Sequence, residues 1–149
     1  MARPDAEPIG LLLTRTAKVV SRAFDEALTE AGGSLPAWLV LVSLEGQAHG
    51  AQREIAEAVG VEGPTLTHHL NRMEAAGLVT RRRDPDNRRV HRVELTDDGE
   101  ATFRRLLQTV AAFDARLRAG LADRELTALR GLLDRLHANV AAPDRPAVS

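Results

Sequence analysis

Residues 63–95 read GPTLTHHLNRMEAAGLVTRRRDPDNRRVHRVEL, and this stretch decides the fold of the chain. Apolar residues recur in its first part at steps of three and four, which predicts a helix over residues 63–76. The period then changes to about two, which predicts strands at 78–82 and 90–95. Turn-forming residues at 84–87 separate the two strands. The stretch therefore predicts a helix followed by a basic hairpin.

A second short helix precedes this stretch. Residues 52–59 have apolar positions on one side, and Gly60 follows them in the place of a C′ glycine. Two short helices joined by a tight turn, with a hairpin directly after them, are typical of a winged helix-turn-helix. We expect the helix-turn-helix over about 52–76 and the wing over 78–95, within a winged-helix core of about 35–95.

The flanking segments predict longer helices and a turn. Helices are expected at 9–31, 35–44, 96–119 and 123–141, with Thr96 and Asp123 as N-caps of the last two, and residues 47–50 as a turn. The fold class is thus mainly α with a small β-hairpin wing.

The first, fifth and sixth helices carry long stripes of apolar residues. These stripes are larger than a small core can cover, so they predict a homodimer. Residues 1–8 and 143–149 are expected to be disordered tails around a domain of residues 9–142.

Composition limits the classes of function. The chain has 149 residues, 44% hydrophobic and 28% charged, which fits one globular domain. It has no cysteine, so thiolate metal sites and thiol catalysis are excluded. No apolar run reaches the roughly 20 residues that cross a bilayer, and we expect a soluble, cytoplasmic protein. No motif of a hydrolase, metalloprotease or phosphate-binding loop is present, so we expect no enzyme and no metal.

The formal net charge of −1 conceals a local excess of positive charge. Six arginines lie in residues 81–92 against Asp84 and Asp86, whereas the rest of the chain is net acidic. A concentrated basic patch on a neutral protein is the electrostatic signature of a nucleic-acid binder.

The helix over 63–76 carries polar residues on the side opposite its apolar stripe. Short donors and acceptors in this position are typical of helices that read base edges in the major groove, although an ordinary solvated face has the same composition. His69 lies nearer the stripe and is expected to pack. His68 and His69 are adjacent in a helix, so they point too far apart to share a metal ion. The candidate readers are Pro64, Thr65, Thr67, His68, Asn71 and Arg72.

The hairpin tip places Asp86, Arg88 and Arg89 where a narrow element enters a minor groove. A solvated cluster of arginines paired with aspartates is the alternative, and both arrangements can hold at once. The remaining arginines of the hairpin are expected to contact phosphates: Arg81, Arg82, Arg83 and Arg92.

These residues resemble the transcriptional regulators of the MarR/SlyA type. The resemblance runs from about Ile9 to Val140 and is most specific in residues 63–74, 77–79, 84–89 and 93–96. It implies an obligate homodimer that binds pseudo-palindromic promoter DNA, most often as a repressor, and is released by a small aromatic or anionic effector. By position, the resemblance implies that the wing pair is Asp86 with Arg88. It implies that the major-groove contacts are made by Pro64, Thr65, Thr67 and His68, with Arg72 nearby.

Three features depart from the family pattern. Ala51 stands where a threonine N-cap is frequent, and His68 stands where arginine is common. The absence of cysteine excludes the thiol peroxide sensors of the family.

The effector pocket and the function class leave alternatives open. The resemblance implies that Arg15 binds an anionic group of the effector and that Trp38 stacks on the effector. An ordinary surface ion pair for Arg15 and an ordinary core position for Trp38 fit these residues equally. No separate cofactor is expected. The alternative function is a winged-helix module that binds protein without specific DNA binding.

Overall fold

The structure, a computed structural model, describes residues 6–45 and 50–141 and confirms the mainly helical fold with a small β wing. The expectations for residues 1–5, 47–49 and 143–149 lie outside the described residues. In chain order the elements are α1 (Ile9–Glu30), α2 (Leu35–Leu44), β1 (Gly50–Ala51), α3 (Gln52–Val59), α4 (Gly63–Ala75), β2 (Val79–Arg83), β3 (His91–Leu95), α5 (Asp97–Leu117) and α6 (Asp123–Ala141).

The chain divides into two compact units, the first ending at Phe113 and the second beginning at Asp114. The core of the first unit is built from α1, α2, α3, α4, the sheet and α5. Its fully buried side chains come from apolar stripes that the sequence pattern picks out, which explains why these segments pack together. They include Leu28, Leu41, Leu66, Leu70, Val93 and Leu106.

Local capping fixes where the helices begin and end. Ser34 accepts a hydrogen bond of 3.2 Å from the Ala37 N–H at the start of α2, and Gly60 ends α3 with φ of 78°. Thr96 accepts a hydrogen bond of 3.0 Å from the Gly99 N–H and so caps α5 as predicted. The predicted N-cap of α6 is wrong by one residue. The Ala122 carbonyl accepts the first helical hydrogen bonds, so Asp123 lies inside the first turn.

The three strands form an antiparallel sheet in the order β1-β3-β2. In the hairpin, Val79 pairs with Leu95 and Arg81 pairs with Val93. Gly50 of β1 pairs with Val93 on the other side of β3. The assignment of Gly50 to a turn is therefore wrong, because a strand of two residues is too short to show a period of two.

The second unit contains the last residues of α5 and all of α6. None of the described α6 residues is buried, and its exposed apolar side chains include Leu129, Leu132, Leu133 and Val140. In the first unit, α1 likewise exposes Ile9, Leu11, Leu12, Leu13 and Val19. Over the described residues no single helix has the length and apolarity to cross a membrane, and α1 and α2 pass that test only as a pair bent by 78°.

Candidate nucleic-acid interface

Helix α4 has one buried face and one exposed polar face, as its sequence predicts. Leu66, Leu70 and Met73 point into the core. The opposite side is exposed except at Thr67, which is half-buried, and His69 is half-buried beside the core stripe as expected. The structure thus brings the predicted readers onto one face of α4: Pro64, Thr65, Thr67, His68, Asn71 and Arg72.

The Thr67 hydroxyl connects the two helices of the helix-turn-helix. It donates a hydrogen bond of 3.0 Å to the Gly63 carbonyl and accepts one of 2.8 Å from the Gln52 amide. Gln52 is the first residue of α3, whose N-cap position holds Ala51 without a side-chain cap. The side chain of Gln52 therefore links the start of α3 to α4.

Asn71 is tied to the wing rather than left free. The guanidinium of Arg81, on β2, donates to the Asn71 side-chain oxygen and to both carboxylate oxygens of Glu74, at 3.2 and 3.4 Å. The hydrogen bond from Arg81 lowers the pKa of Glu74 below its ordinary value and outweighs the opposing effect of partial desolvation. Arg81 therefore bridges two residues one turn apart on α4.

Asp84 organises the turn of the wing. One carboxylate oxygen accepts hydrogen bonds of 2.8 and 3.3 Å from the backbone N–H groups of Asp86 and Asn87. The other oxygen accepts one of 2.6 Å from Nε of Arg92. The Arg92 hydrogen bond, followed by that of the Asp86 N–H, lowers the pKa of the Asp84 carboxyl below its usual value. The residue is 8% exposed, so it forms a fixed anchor for the turn.

The predicted wing pair, Asp86 and Arg88, stays a prediction for the DNA contact. Asp86 and Arg88 are both exposed, and among the described residues no ion pair joins them. The shortest ion pair of the wing joins Asp84 to Arg92, because these two residues lie on the same face of the hairpin at the end that adjoins the turn.

The six arginines of the wing fall into two groups. Arg81 and Arg92 are half-buried and hold Glu74 and Asp84. The other four are exposed, and the nearest carboxylate oxygen to Arg82 belongs to Glu94 at 3.9 Å, a separation that contributes little at the surface. The exposed positive charge of the wing is thus carried by Arg82, Arg83, Arg88 and Arg89.

Arg15 and Trp38 are found in their ordinary structural roles. Arg15 forms a two-pronged surface ion pair with Glu7, at 2.7 and 2.9 Å. Trp38 is buried and stacks on Phe103 of α5, with ring centroids 5.4 Å apart and ring planes 5° apart. Neither residue lines the cavity described next.

A cavity of about 310 Å³ lies between the α1–α2 connection, α4 and the start of α5. Its polar lining includes His69 and Arg72 from α4, Ser34 and Thr102. Met73, Leu78 and Leu106 supply an apolar side. The cavity thus combines a cation and hydrogen-bonding groups with an apolar wall, and it touches α4 directly.

Sequence reasoning did not single out two residues that position the site. Gln52 and Glu74 look like ordinary polar helix residues, and only the fold brings them to Thr67 and Arg81. Asp84 was considered as a partner of the wing arginines, but its hydrogen bonds to the turn were not. They had a usable signal, because an aspartate that opens a turn commonly accepts hydrogen bonds from the next backbone N–H groups.

Comparisons with known proteins agree with this geometry. The sequence pattern of the MarR family matches residues 34–91. A MarR-family transcriptional regulator from Rhodococcus sp. RHA1 is 30% identical, with 88% of this chain and 91% of that chain covered and a TM-score of 0.73. The transcriptional repressor CouR, solved on a 23-mer DNA duplex, is 30% identical, with coverage of 87% and 92% and a TM-score of 0.79.

A third structure was solved with a ligand. It is the PcaV transcriptional regulator from Streptomyces coelicolor in complex with its natural ligand, which is 28% identical, with coverage of 95% and 100% and a TM-score of 0.79. The identity and coverage of the Rhodococcus regulator and CouR, together with the winged helix-turn-helix and its arginine wing, assign the family. The chain belongs to the MarR family of non-enzymatic, DNA-binding transcriptional regulators.

Proposed function

We propose that the chain is a homodimeric repressor that binds a pseudo-palindromic DNA duplex in the cytoplasm and is released by a small ligand. The observation that carries the proposal is the exposed polar face of α4 beside a wing with four exposed arginines. The likeness to CouR, a repressor solved on duplex DNA, supports it.

In this proposal α4 enters the major groove and the wing tip enters the adjacent minor groove. The side chains that meet base edges are those on the exposed face of α4: Pro64, Thr65, Thr67, His68, Asn71 and Arg72. Arg88 and Arg89, with Asp86 beside them, act at the wing tip. Arg82 and Arg83 meet phosphates. The phosphate contacts predicted for Arg81 and Arg92 stay predictions. The ion pairs of these two residues with Glu74 and Asp84 favour a role in positioning α4 and the wing turn.

The homodimer follows from apolar surface that one chain leaves uncovered. Helix α6 exposes Leu129, Leu132 and Leu133 by 45, 52 and 39%, and α1 exposes further large apolar side chains in the first unit. An exposed apolar stripe along one helix marks an interface in proteins that remain in solution. A two-fold dimer would also present two α4 helices to successive major grooves, about one helical turn apart.

The proposed effector is a small molecule with an anionic group and an apolar or aromatic body. The cavity beside α4 supports this chemistry, because Arg72 and His69 face it from one side and Met73 and Leu106 from another. PcaV was solved with its natural ligand, which supports ligand control in a chain of this kind. Arg15 and Trp38 stay predictions as effector contacts, and their present partners favour structural roles.

Selection of binding sites from a library of random duplexes tests the function. We expect a two-fold symmetric motif and an affinity that falls steeply with salt, because arginines displace counterions from phosphates. Equal affinity for every duplex, or binding insensitive to salt, would favour the protein-binding alternative. Sedimentation at micromolar concentration tests the dimer. A screen of small aromatic carboxylates against the selected duplex, repeated with His69→Ala, tests the release step, because His69 lines the cavity and is not among the proposed base contacts.

A further inference from the structure

Arg81 lies on the inner face of the wing. Its register partner Val93 is fully buried, and Val79, two residues earlier on the same face of β2, is 1% exposed. The Arg81 side chain is 21% exposed, whereas that of Arg82, on the outer face, is 72% exposed. Arg81 thus lies between the sheet and α4, and not on the surface where a phosphate backbone would meet the wing.

Helix α4 accepts three hydrogen bonds from the guanidinium of Arg81, from Nε and from one of its two terminal nitrogens. Its Nε donates to one oxygen of Glu74 at 3.2 Å, and one of its terminal nitrogens donates to the other Glu74 oxygen at 3.4 Å and to Oδ1 of Asn71. This fork requires the planar guanidinium, because a lysine ammonium is a point charge on a flexible stem. The hydrogen bond to Glu74 favours the ionised carboxylate, so the bridge pairs one positive and one negative charge.

The bridge changes what Asn71 offers to DNA. A free asparagine reads adenine with two hydrogen bonds, accepting from N6 through its oxygen and donating to N7 through its amide nitrogen. In this chain Oδ1 of Asn71 already accepts from Arg81, while the residue stays on the exposed face of α4. This hydrogen bond uses one of the two lone pairs of Oδ1 and turns the oxygen toward Arg81, so the Nδ2 amino group is the end of the amide that is turned toward a base.

We propose that Arg81 is a specificity-determining positioning residue, which holds the oxygen of Asn71 and makes that point of α4 a hydrogen-bond donor. The position then favours bases that present an acceptor, the purine N7 or thymine O4, without preference for adenine over guanine, and rejects cytosine, whose major-groove edge presents an amino donor. The inference rests on the proposed DNA-binding function and adds the chemistry of one contact.

A charge-neutral double variant tests it. Arg81→Met with Glu74→Gln removes one positive and one negative charge together and leaves an apolar stem beside Val93. With Oδ1 released, the double variant should gain a preference for adenine over guanine of about five-fold at one position per half-site, the lower range for a bidentate contact. Its salt dependence should equal that of the wild type. Adding Asn71→Ala should abolish the gained preference.

Arg82→Met is the matched control on the same strand. Because Arg82 is exposed on the outer face, its loss should weaken binding to all duplexes and make the salt slope shallower, with base preference unchanged. If the Arg81→Met and Glu74→Gln double variant instead behaves like Arg82→Met, Arg81 is a phosphate contact and the inference is wrong. Unchanged base preference in the double variant contradicts it equally.

Asn71→Asp provides a second test in a chain that keeps the bridge. One aspartate oxygen can accept from Arg81, and the other then presents an acceptor where the amide presented a donor. The preference at that position should invert toward cytosine, whose N4 is a donor. An unchanged preference overturns the proposal. If the wild type selects no motif at all, the proposed function itself fails, which is a different result from a wild-type motif that these variants leave unaltered.

Discussion

Gly99, in the first turn of α5, lies directly against the backbone carbonyl of Leu78, so that a β-carbon on Gly99 would overlap the carbonyl oxygen. The same carbonyl accepts a hydrogen bond of 3.0 Å from the Thr96 N–H. The Thr96 hydroxyl in turn donates to the Gly77 carbonyl and accepts from the Gly99 N–H. The start of α5 is therefore joined to the backbone between α4 and the wing.

Gly99→Ala should destabilise the protein, because either backbone must move to admit the methyl group. We expect a loss of about 1–3 kcal/mol in the free energy of unfolding, the range for overpacking a tight site. Chemical denaturation measures it. Gly63→Ala is the control: a β-carbon there meets nothing within 4 Å, so the change should stay within about 0.5 kcal/mol. Wild-type stability for Gly99→Ala would contradict the close approach.

Asp84→Ala should disorder the wing. The substitution removes the acceptor for two backbone N–H groups and for Arg92, which leaves the turn without its anchor. We expect a lower thermal midpoint and weaker binding to all duplexes, because the tip arginines lose their fixed position. Asp86→Ala keeps every one of these hydrogen bonds and should leave the thermal midpoint unchanged. Scanning calorimetry and a binding titration measure the two effects.

The stability contributed by Asp84 should depend on pH. Its hydrogen bonds lower the pKa of the folded carboxyl below the unfolded value. A lowered folded pKa adds stability that is present above the unfolded pKa and is lost as the pH falls through the folded pKa, below about pH 4. Asp84→Asn should therefore be less stable than the wild type at neutral pH, and the difference should shrink in acid. Urea denaturation across this range measures it, and a constant difference would contradict the ionised role.

His68 and Arg88 should show different defects in DNA binding. His68→Ala removes an exposed side chain from the face of α4, so it should relax preference at one or two positions per half-site and cost about 1–3 kcal/mol on the selected site. Arg88→Ala should weaken binding to nearly all duplexes and flatten the salt slope. Site selection with each variant separates the two, and an exchange of the two phenotypes would reverse the groove assignment.

Charged substitutions on α6 should dissociate the dimer. Leu129 and Leu133 lie one turn apart on the helix and are exposed in the single chain, so Leu129→Arg with Leu133→Arg places two like charges in the proposed interface. Sedimentation should show a monomer, with specific DNA binding lost. Asp134→Arg is the control, because this position lies about 140° from Leu129 around the helix. A dimer that survives the double substitution would contradict the assignment of α6 to the interface.

The helices and the wing were predictable because their signals are local. Apolar spacing defines α4 and its faces, and Gly60 and Thr96 mark a helix end and a helix start within a few residues of sequence. The partners of Arg81 and Arg92 were not predictable in the same way. Alternation along β2 does place Arg81 on the side of Val79, but only the packing of the sheet against α4 brings it to Asn71.

The predicted effector residues show the same limit. A tryptophan in an apolar helix has the same local sequence whether it stacks on a ligand or on Phe103, and the choice depends on α5, far away in the chain. Arg15 likewise finds Glu7 eight residues earlier, outside the helix that the pattern describes. Residues that act through long-range contacts therefore need the fold before a role can be given to them.

The stack of Trp38 on Phe103 also equips the protein with an optical reporter. Trp38 is the only tryptophan and the chain contains no tyrosine, so intrinsic tryptophan emission comes from one place, where α2 meets α5. Trp38 is 8% exposed, and any separation of these two helices would let water reach its indole. Emission from the unlabelled protein can thus follow movement at this joint while DNA or a small molecule is titrated.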